Sequence, residues 1–271
     1  MKPHFKSKAC VSTSFIGVDL AWSDRNPSGV AHLIFDSNGP VLVATNHLTS
    51  DKDLISWITD HCGDITWVGI DAPIIAPNPP KTSRAADKIV TSLFGRFHAG
   101  VYPGNRKRCA RPIRLCKKLA AIGFSPDPFF PSRSGRRQLE IFPHLAQIAL
   151  FGRKRIIKYK KGNVEQKRRG LRTLQQTIAH FLPRANPPLL SSPQLLELVS
   201  ENPTTLRGRR LKGLEDRLDA LLCAYMTLYF WAWGEEKCAV FGDLKSGYII
   251  GPKYSPQRSA ISSQRKPEAE S

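Results

Sequence analysis

The chain predicts an α/β domain in which helices flank a mixed sheet. Residues 15–70 alternate short β-type runs with turns and one helix, two of those runs end on an acid, and a long apolar stretch of helical period lies late in the chain.

The first run, 15–22 (FIGVDLAW), carries Phe15, Ile16 and Val18, which suit a pleated sheet, and ends by presenting Asp19. Gly17 removes a side chain where another backbone or a ligand comes close. Residues 23–29 (SDRNPSG) read as a turn and 30–35 as a second strand. Asp36-Ser37-Asn38-Gly39 is a hairpin signal leading into a third strand at 40–46. Thr49 or Ser50 caps a helix over 51–62 whose one face carries Leu54, Ile55, Ile58 and Cys62. The run 65–70 is again β-type and is followed by Asp71. If these two strands are parallel neighbours, Asp19 and Asp71 meet at the carboxyl edge of the sheet, where α/β proteins place their sites. Taken singly, Asp19 also fits a structural role, capping a turn or meeting a buried partner.

An insertion over about 76–136 is rich in loops and basic groups. Thr82 or Ser83 caps a helix reaching about Phe94, and FGRFHAGVYPGNRKR then mixes aromatics, glycines and cations. Arg96, His98, Tyr102, Asn105 and Arg106 are candidates there for handling phosphate and base, although a solvated loop has the same composition. Residues 105–122 read as helical apart from Pro112, and 123–135 as a turn-rich link. The strand-like 138–142 (QLEIF) centres on Glu140, and Pro143 opens a helix through Leu150.

The basic helical segment 153–182 begins with the densest positive run, 153–172, in which ten of twenty residues are Lys or Arg and Glu165 is the only acid. Solvated helix faces alternate signs, so Lys158, Tyr159, Lys160, Lys161, Arg168 and Arg169 read as a surface tracking a phosphate backbone. Residues 183–193 form a linker. The helix over 211–233 carries Glu215, Asp216 and Asp219, and the last two, three apart, share a face with Ala220 and Cys223. An acid inside that apolar sequence needs a metal, a base or a salt bridge. Runs at 239–241 and 247–250 suggest a small hairpin. One domain over 14–252 is expected, with disordered tails at 1–13 and 253–271.

Forty-one Lys and Arg against 22 Asp and Glu leave a net charge of +19, so nucleic acid is the expected partner and an anionic membrane surface the second. No apolar run approaches a bilayer span and the first residues lack the apolar core of a signal peptide, which makes a cytoplasmic protein the expectation. Six cysteines without a CxxC pair or matching His spacing argue against structural zinc and against a disulfide framework.

Asp19, Asp71, Glu140, Asp216 and Asp219 form the candidate catalytic set. Gathered carboxylates raise one another's pKa unless a cation sits among them, and hard Mg²⁺ or Mn²⁺ prefers such oxygens. Two such ions suit phosphodiester cleavage, which needs neither Cys nor a fixed His.

The pattern of three antiparallel strands, a helix, a fourth strand ending on an acid and a late DxxDA helix resembles the ribonuclease H superfamily. GVDLAWS, GIDAPI, FGRFHAGVYPGNR, LEIFPH, IKYKKG and EDRLDALLCAY further resemble the family named domain of unknown function 429, described as predicted ribonuclease H-like nucleases, over about 14–252. The resemblance implies a ribonuclease H-like mixed sheet, three antiparallel strands then parallel ones, with Asp19, Asp71 and Asp219 as the metal ligands, for an expected two ions of Mg²⁺ or Mn²⁺. It also implies that Asp216 matches the first of the paired aspartates in Holliday-junction resolvases. The place of Glu140 depends on how the insertion is threaded. An actin-like ATPase or sugar kinase shares the fold, but its phosphate-holding turn is missing where Leu20-Ala21-Trp22 follows the acid. A nucleic-acid-binding module without turnover is the other alternative.

Overall fold

The computed structural model describes residues 13–129 and 132–254. Strands β1 (Thr13–Asp19), β2 (Ser28–Phe35), β3 (Pro40–Leu48), β4 (Ile65–Ile70) and β5 (Arg136–Glu140) form one sheet in the order β3-β2-β1-β4-β5. The pairs β1–β2 and β2–β3 are antiparallel, and β1–β4 and β4–β5 are parallel. This is the mixed sheet that was expected, three antiparallel strands followed by parallel ones.

The alternation of the first three strands has its origin in their turns. Asp36 Oδ1 accepts from the Asn38 and Gly39 amides at 2.8 and 3.3 Å, closing the β2–β3 hairpin. Helix α1 (Asp51–Asp60) is capped by Ser50, whose hydroxyl accepts from the Asp53 amide, and it buries Leu54 and Ile58 before the chain returns in parallel as β4.

Helix α7 (Gly208–Trp233) crosses the face of β1, β2 and β4 and supplies much of the core. Its close approach depends on glycines in the strands beneath it, Gly17, Gly29 and Gly69. A Cβ at Gly17 would lie 1.9 Å from the Ala220 carbonyl oxygen, and one at Gly29 would lie 2.1 Å from that of Asp216. The close neighbour anticipated at Gly17 is therefore a helix backbone, and the two contacts fix the height of Asp216 and Asp219 above the sheet.

Several elements depart from expectation. Helix α2 (Ala85–Phe94) starts after Arg84 rather than Thr82 or Ser83, because the Asp87 carboxylate accepts the Arg84 amide at 3.1 Å. Helix α3 (Ala110–Ala121) is shorter than 105–122, and Pro112 falls in its first turn, where a missing N–H breaks no helical bond. Glu140 ends β5 instead of lying at a strand centre. Helix α4 (His144–Ala149) follows Pro143, and α5 (Val164–Phe181) begins only after a stretch without regular structure through Asn163. The supposed linker leads into α6 (Pro193–Ser200), capped by Ser192, a short helix that buries Leu195 and Leu198 and leaves Leu196 exposed. Strands β6 (Cys238–Asp243) and β7 (Gly247–Pro252) form the expected hairpin.

The expected tails lie outside the described residues except Thr13, which begins β1, and Lys253 and Tyr254. No helix among the described residues is long and apolar enough to cross a membrane. Cys62, Cys109, Cys116, Cys223 and Cys238 are free thiols.

Candidate active site at the carboxyl edge of the sheet

Val18 pairs with Ile70 across the parallel β1–β4 ladder, so Asp19 and Asp71, one residue further along each strand, emerge side by side. The Asp71 amide donates to the Val18 carbonyl at 2.8 Å and holds this register to the strand ends. In the opposite direction Asp19 pairs with Gly29, and Gly29 with His47 of β3. The bare centre of that row is where α7 descends. It sets Asp216 against His47, whose Nε2 lies 2.9 Å from Asp216 Oδ2.

Asp219, one turn further along α7, is fully buried. Tyr159 donates its hydroxyl to Asp219 Oδ1 at 2.6 Å. The Lys160 ammonium stands 2.8 Å from Asp219 Oδ2 and 3.9 Å from Asp71 Oδ2. The ammonium is the ion-pair partner of Oδ2, which accepts no other hydrogen bond. On the other side of Asp216, Lys212 bonds Asp216 Oδ1 and, at 2.7 Å, Glu215 Oε1.

These neighbours divide the carboxyls electrostatically. Burial lifts Asp19 well above the ordinary carboxylate range, Lys160 opposes the lift, and the charges of Asp219, Asp216 and Asp71 add to it. Burial likewise pushes Asp71 up to about 7 against the pull of Lys160. Asp216 is held low despite burial by its bonds to His47 and Lys212. Lys160 is half-buried among anions and stays more firmly protonated than a free lysine because of Asp19 and Asp219. Four carboxylates therefore share too few cations. Among the described residues no group of three or more His, Cys, Asp or Glu side chains stands assembled as a metal centre. The oxygen donors of Asp19, Asp71 and Asp219 nevertheless fit a hard divalent ion, which would compete with the Lys160 ammonium for Asp219 Oδ2.

Glu140 lies in the wall of the same cleft with a different set of partners. Its two oxygens accept from Arg84 Nη2 and Nη1 at 2.6 and 2.7 Å, and Oε2 also accepts from the Ile74 amide at 3.2 Å. Burial drives the Glu140 carboxyl up to about 7 while Arg84 pulls it down; Arg84, despite its own burial, is held protonated by Glu140 and Asp87. Arg84 also bonds Asp87, and Asp87 Oδ2 accepts the Gly104 amide at 2.8 Å. The acid at the end of β5 thus anchors the loop around Gly104.

The basic residues separate into inward and outward sets. Tyr159 is fully enclosed and Lys160 points at the acids, whereas Lys158 and Lys161 are exposed. The turn inward has a local cause: Gln147 of α4 accepts the Ile157 amide at 2.8 Å, and the Phe97 carbonyl accepts the Ile156 amide at 3.1 Å. This brings Lys158, Lys160 and Lys161 into one cleft with His98 and Tyr102. Arg169 lies beside Lys158 and Lys161 in a neighbouring depression, and Arg168 donates to the Leu206 carbonyl at 2.8 Å. Arg96 covers the Phe97 ring at 4.7 Å, Arg106 is exposed, and Asn105 is buried with Oδ1 accepting the Arg108 amide at 3.1 Å. His47, Arg84, Asp87 and Lys212 were not singled out in the sequence.

No curated protein matches the chain. Among solved structures it is similar to the human cytomegalovirus terminase nuclease domain, Mn soaked, with a TM-score of 0.31 and 11% identity over 84% of this chain and 87% of that one. The family model described as protein of unknown function (DUF429) matches residues 17–244, and the chain belongs to that family.

Proposed function

We propose that this protein is a metal-dependent nuclease that hydrolyses phosphodiester bonds at the cluster of Asp19, Asp71 and Asp219. One observation carries this reading: acids from two adjacent parallel strands and a crossing helix meet around the Lys160 ammonium at the edge of a strongly basic protein. Mg²⁺ or Mn²⁺ would be held by Asp19, Asp71 and Asp219, with Asp216 beside them. Two such ions would supply activation of water and stabilisation of the leaving oxygen.

The chain's own residues prepare that site. Tyr159 fixes the rotamer of Asp219, and His47 with Lys212 fixes Asp216. Lys160 offers a positive charge to a phosphate next to the carboxylates. Lys158 and Lys161 lie outside it, where a backbone would pass. Glu140 serves by holding Arg84 and, through Asp87, the Gly104 loop. A binding protein without turnover is supported by one feature, the ammonium standing where a cation would otherwise sit.

The two readings separate when the pure protein is incubated with single-stranded, duplex, hybrid and branched substrates in Mg²⁺ or Mn²⁺, with EDTA controls. Metal-dependent cleavage of any of them supports the nuclease. Binding without cleavage on all of them supports the module.

A further inference from the structure

Tyr102 is the most exposed large hydrophobic residue described, with 71% of its surface open, yet the loop bearing it is firmly held. The Gly104 amide donates to Asp87, the Gly104 carbonyl accepts from Asn78 Nδ2 at 3.0 Å, and the Val101 amide donates to Thr91 Oγ1 at 3.3 Å. The Arg108 guanidinium lies 5.3 Å from the ring centroid and is itself tied to the Pro103 carbonyl at 2.8 Å. An aromatic ring is therefore presented to solvent at low conformational cost.

Tyr102 also borders two clefts. One, of about 420 Å³, has Asp19 and Asp71 in its floor and Trp22 in its wall; the other, of about 450 Å³, carries His98, Lys158 and Lys161. Phe142 and Lys160 belong to both. Lys158 and Lys161, cations that suit a phosphate backbone, thus line one of the clefts that Tyr102 borders, and Asp19, Asp71 and Trp22 line the other together with Arg84 and Arg108. A paired base has both neighbours in its stack and cannot enter such a cleft, whereas a splayed base can lie on an aromatic ring.

We propose that the cleft between Tyr102 and Trp22 receives one unstacked nucleobase, so that the substrate is a single-stranded segment whose backbone runs past Lys158 and Lys161 to the acids. This rests on the nuclease reading for why the base lies beside Asp19 and Asp71, but its test does not require turnover.

Binding of the full chain to a labelled single strand of about 16 nucleotides, and to the duplex of the same sequence, is measured by fluorescence anisotropy in EDTA. The parent should prefer the single strand. Tyr102→Ala should weaken single-strand binding about 5- to 150-fold, the loss of one base stack, while duplex binding changes little and Tyr102→Phe restores the parent. Single-strand affinity unchanged in Tyr102→Ala, or an equal loss on both substrates, overturns the subsite. If the protein cleaves in Mn²⁺ while Tyr102→Ala binds like the parent, the subsite fails and the nuclease stands. Stacking without cleavage leaves the subsite and removes the nuclease.

Discussion

Lys160 and Asp219 form the centre of the site: the ammonium lies 2.8 Å from a carboxylate oxygen whose side chain is fully buried and whose other oxygen is held by Tyr159. The lysine side chain is 32% exposed, so it enters from the surface and shares the acids with whatever else approaches from solvent.

Removing that charge leaves Asp19, Asp71 and Asp219 without their common cation. Lys160→Met should destabilise the metal-free protein by about 1–3 kcal/mol, less than a fully enclosed pair because the ammonium is partly solvated. Added Mn²⁺ should then raise the melting temperature more in the variant than in the parent, since the ion no longer competes with an ammonium. Thermal unfolding with and without Mn²⁺ checks both; equal shifts would mean that metal and lysine do not share the acids.

Glu140 and Asp71 should respond differently to the same chemical change. Glu140→Gln leaves the Arg84 guanidinium buried against a neutral amide and should cost about 2–4 kcal/mol in denaturant unfolding. It should also loosen the Gly104 loop, which limited proteolysis would detect. A variant as stable as the parent would contradict the anchoring role.

Salt dependence distinguishes the outward lysines from the inward residues. Lys158→Ala and Lys161→Ala should each reduce the slope of log affinity against log salt by about 0.7 on a single strand. Tyr159→Phe should leave that slope unchanged and act on turnover, because its ring is enclosed and its hydroxyl meets only Asp219 and Gln147. A lower slope in Tyr159→Phe would place it on the binding surface after all.

Acid should weaken the fold through His32. Burial first, then the neighbouring His61, lowers the His32 pKa from 6.5 to about 4, and the ring meets Ser14 Oγ at 3.1 Å. Between these values the unfolded chain binds the proton and the folded one does not, so stability falls as pH drops from 6.5 towards 4, by up to about 3 kcal/mol from this group. His32→Gln should flatten the dependence in that window when unfolding free energies are compared with the parent; identical slopes would show that His32 is not the source.

Asp19 and Asp71 were legible in the sequence because each ends a short apolar run, and a two-residue period cannot hide an acid at a strand end. Asp216 and Asp219 were legible from helical spacing. His47 was not, because β2 and β3 carry a register irregularity at His32 and Leu33, and no counting from the hairpin turn aligns His47 with Gly29 and Asp19 across it. Tyr159 and Lys160 were assigned to a surface by the company they keep, ten cations in twenty residues. Their burial is set by Gln147, Phe97 and Asp219, partners that are distant in sequence for all but the first. The Arg84–Glu140 pair joins residues 56 apart and has no local signature.

The most direct test of the nuclease compares the parent with Asp71→Asn in Mn²⁺ on a single-stranded substrate, with melting temperatures recorded metal-free at pH 8. The expected result is cleavage by the parent, loss of at least about a hundredfold in the variant, and a variant melting temperature equal to or above the parent's, since burial disfavours the Asp71 charge. Cleavage that survives Asp71→Asn undiminished, or a parent that at high enzyme concentration cleaves neither this strand nor duplex, hybrid or branched substrates, would contradict the assignment.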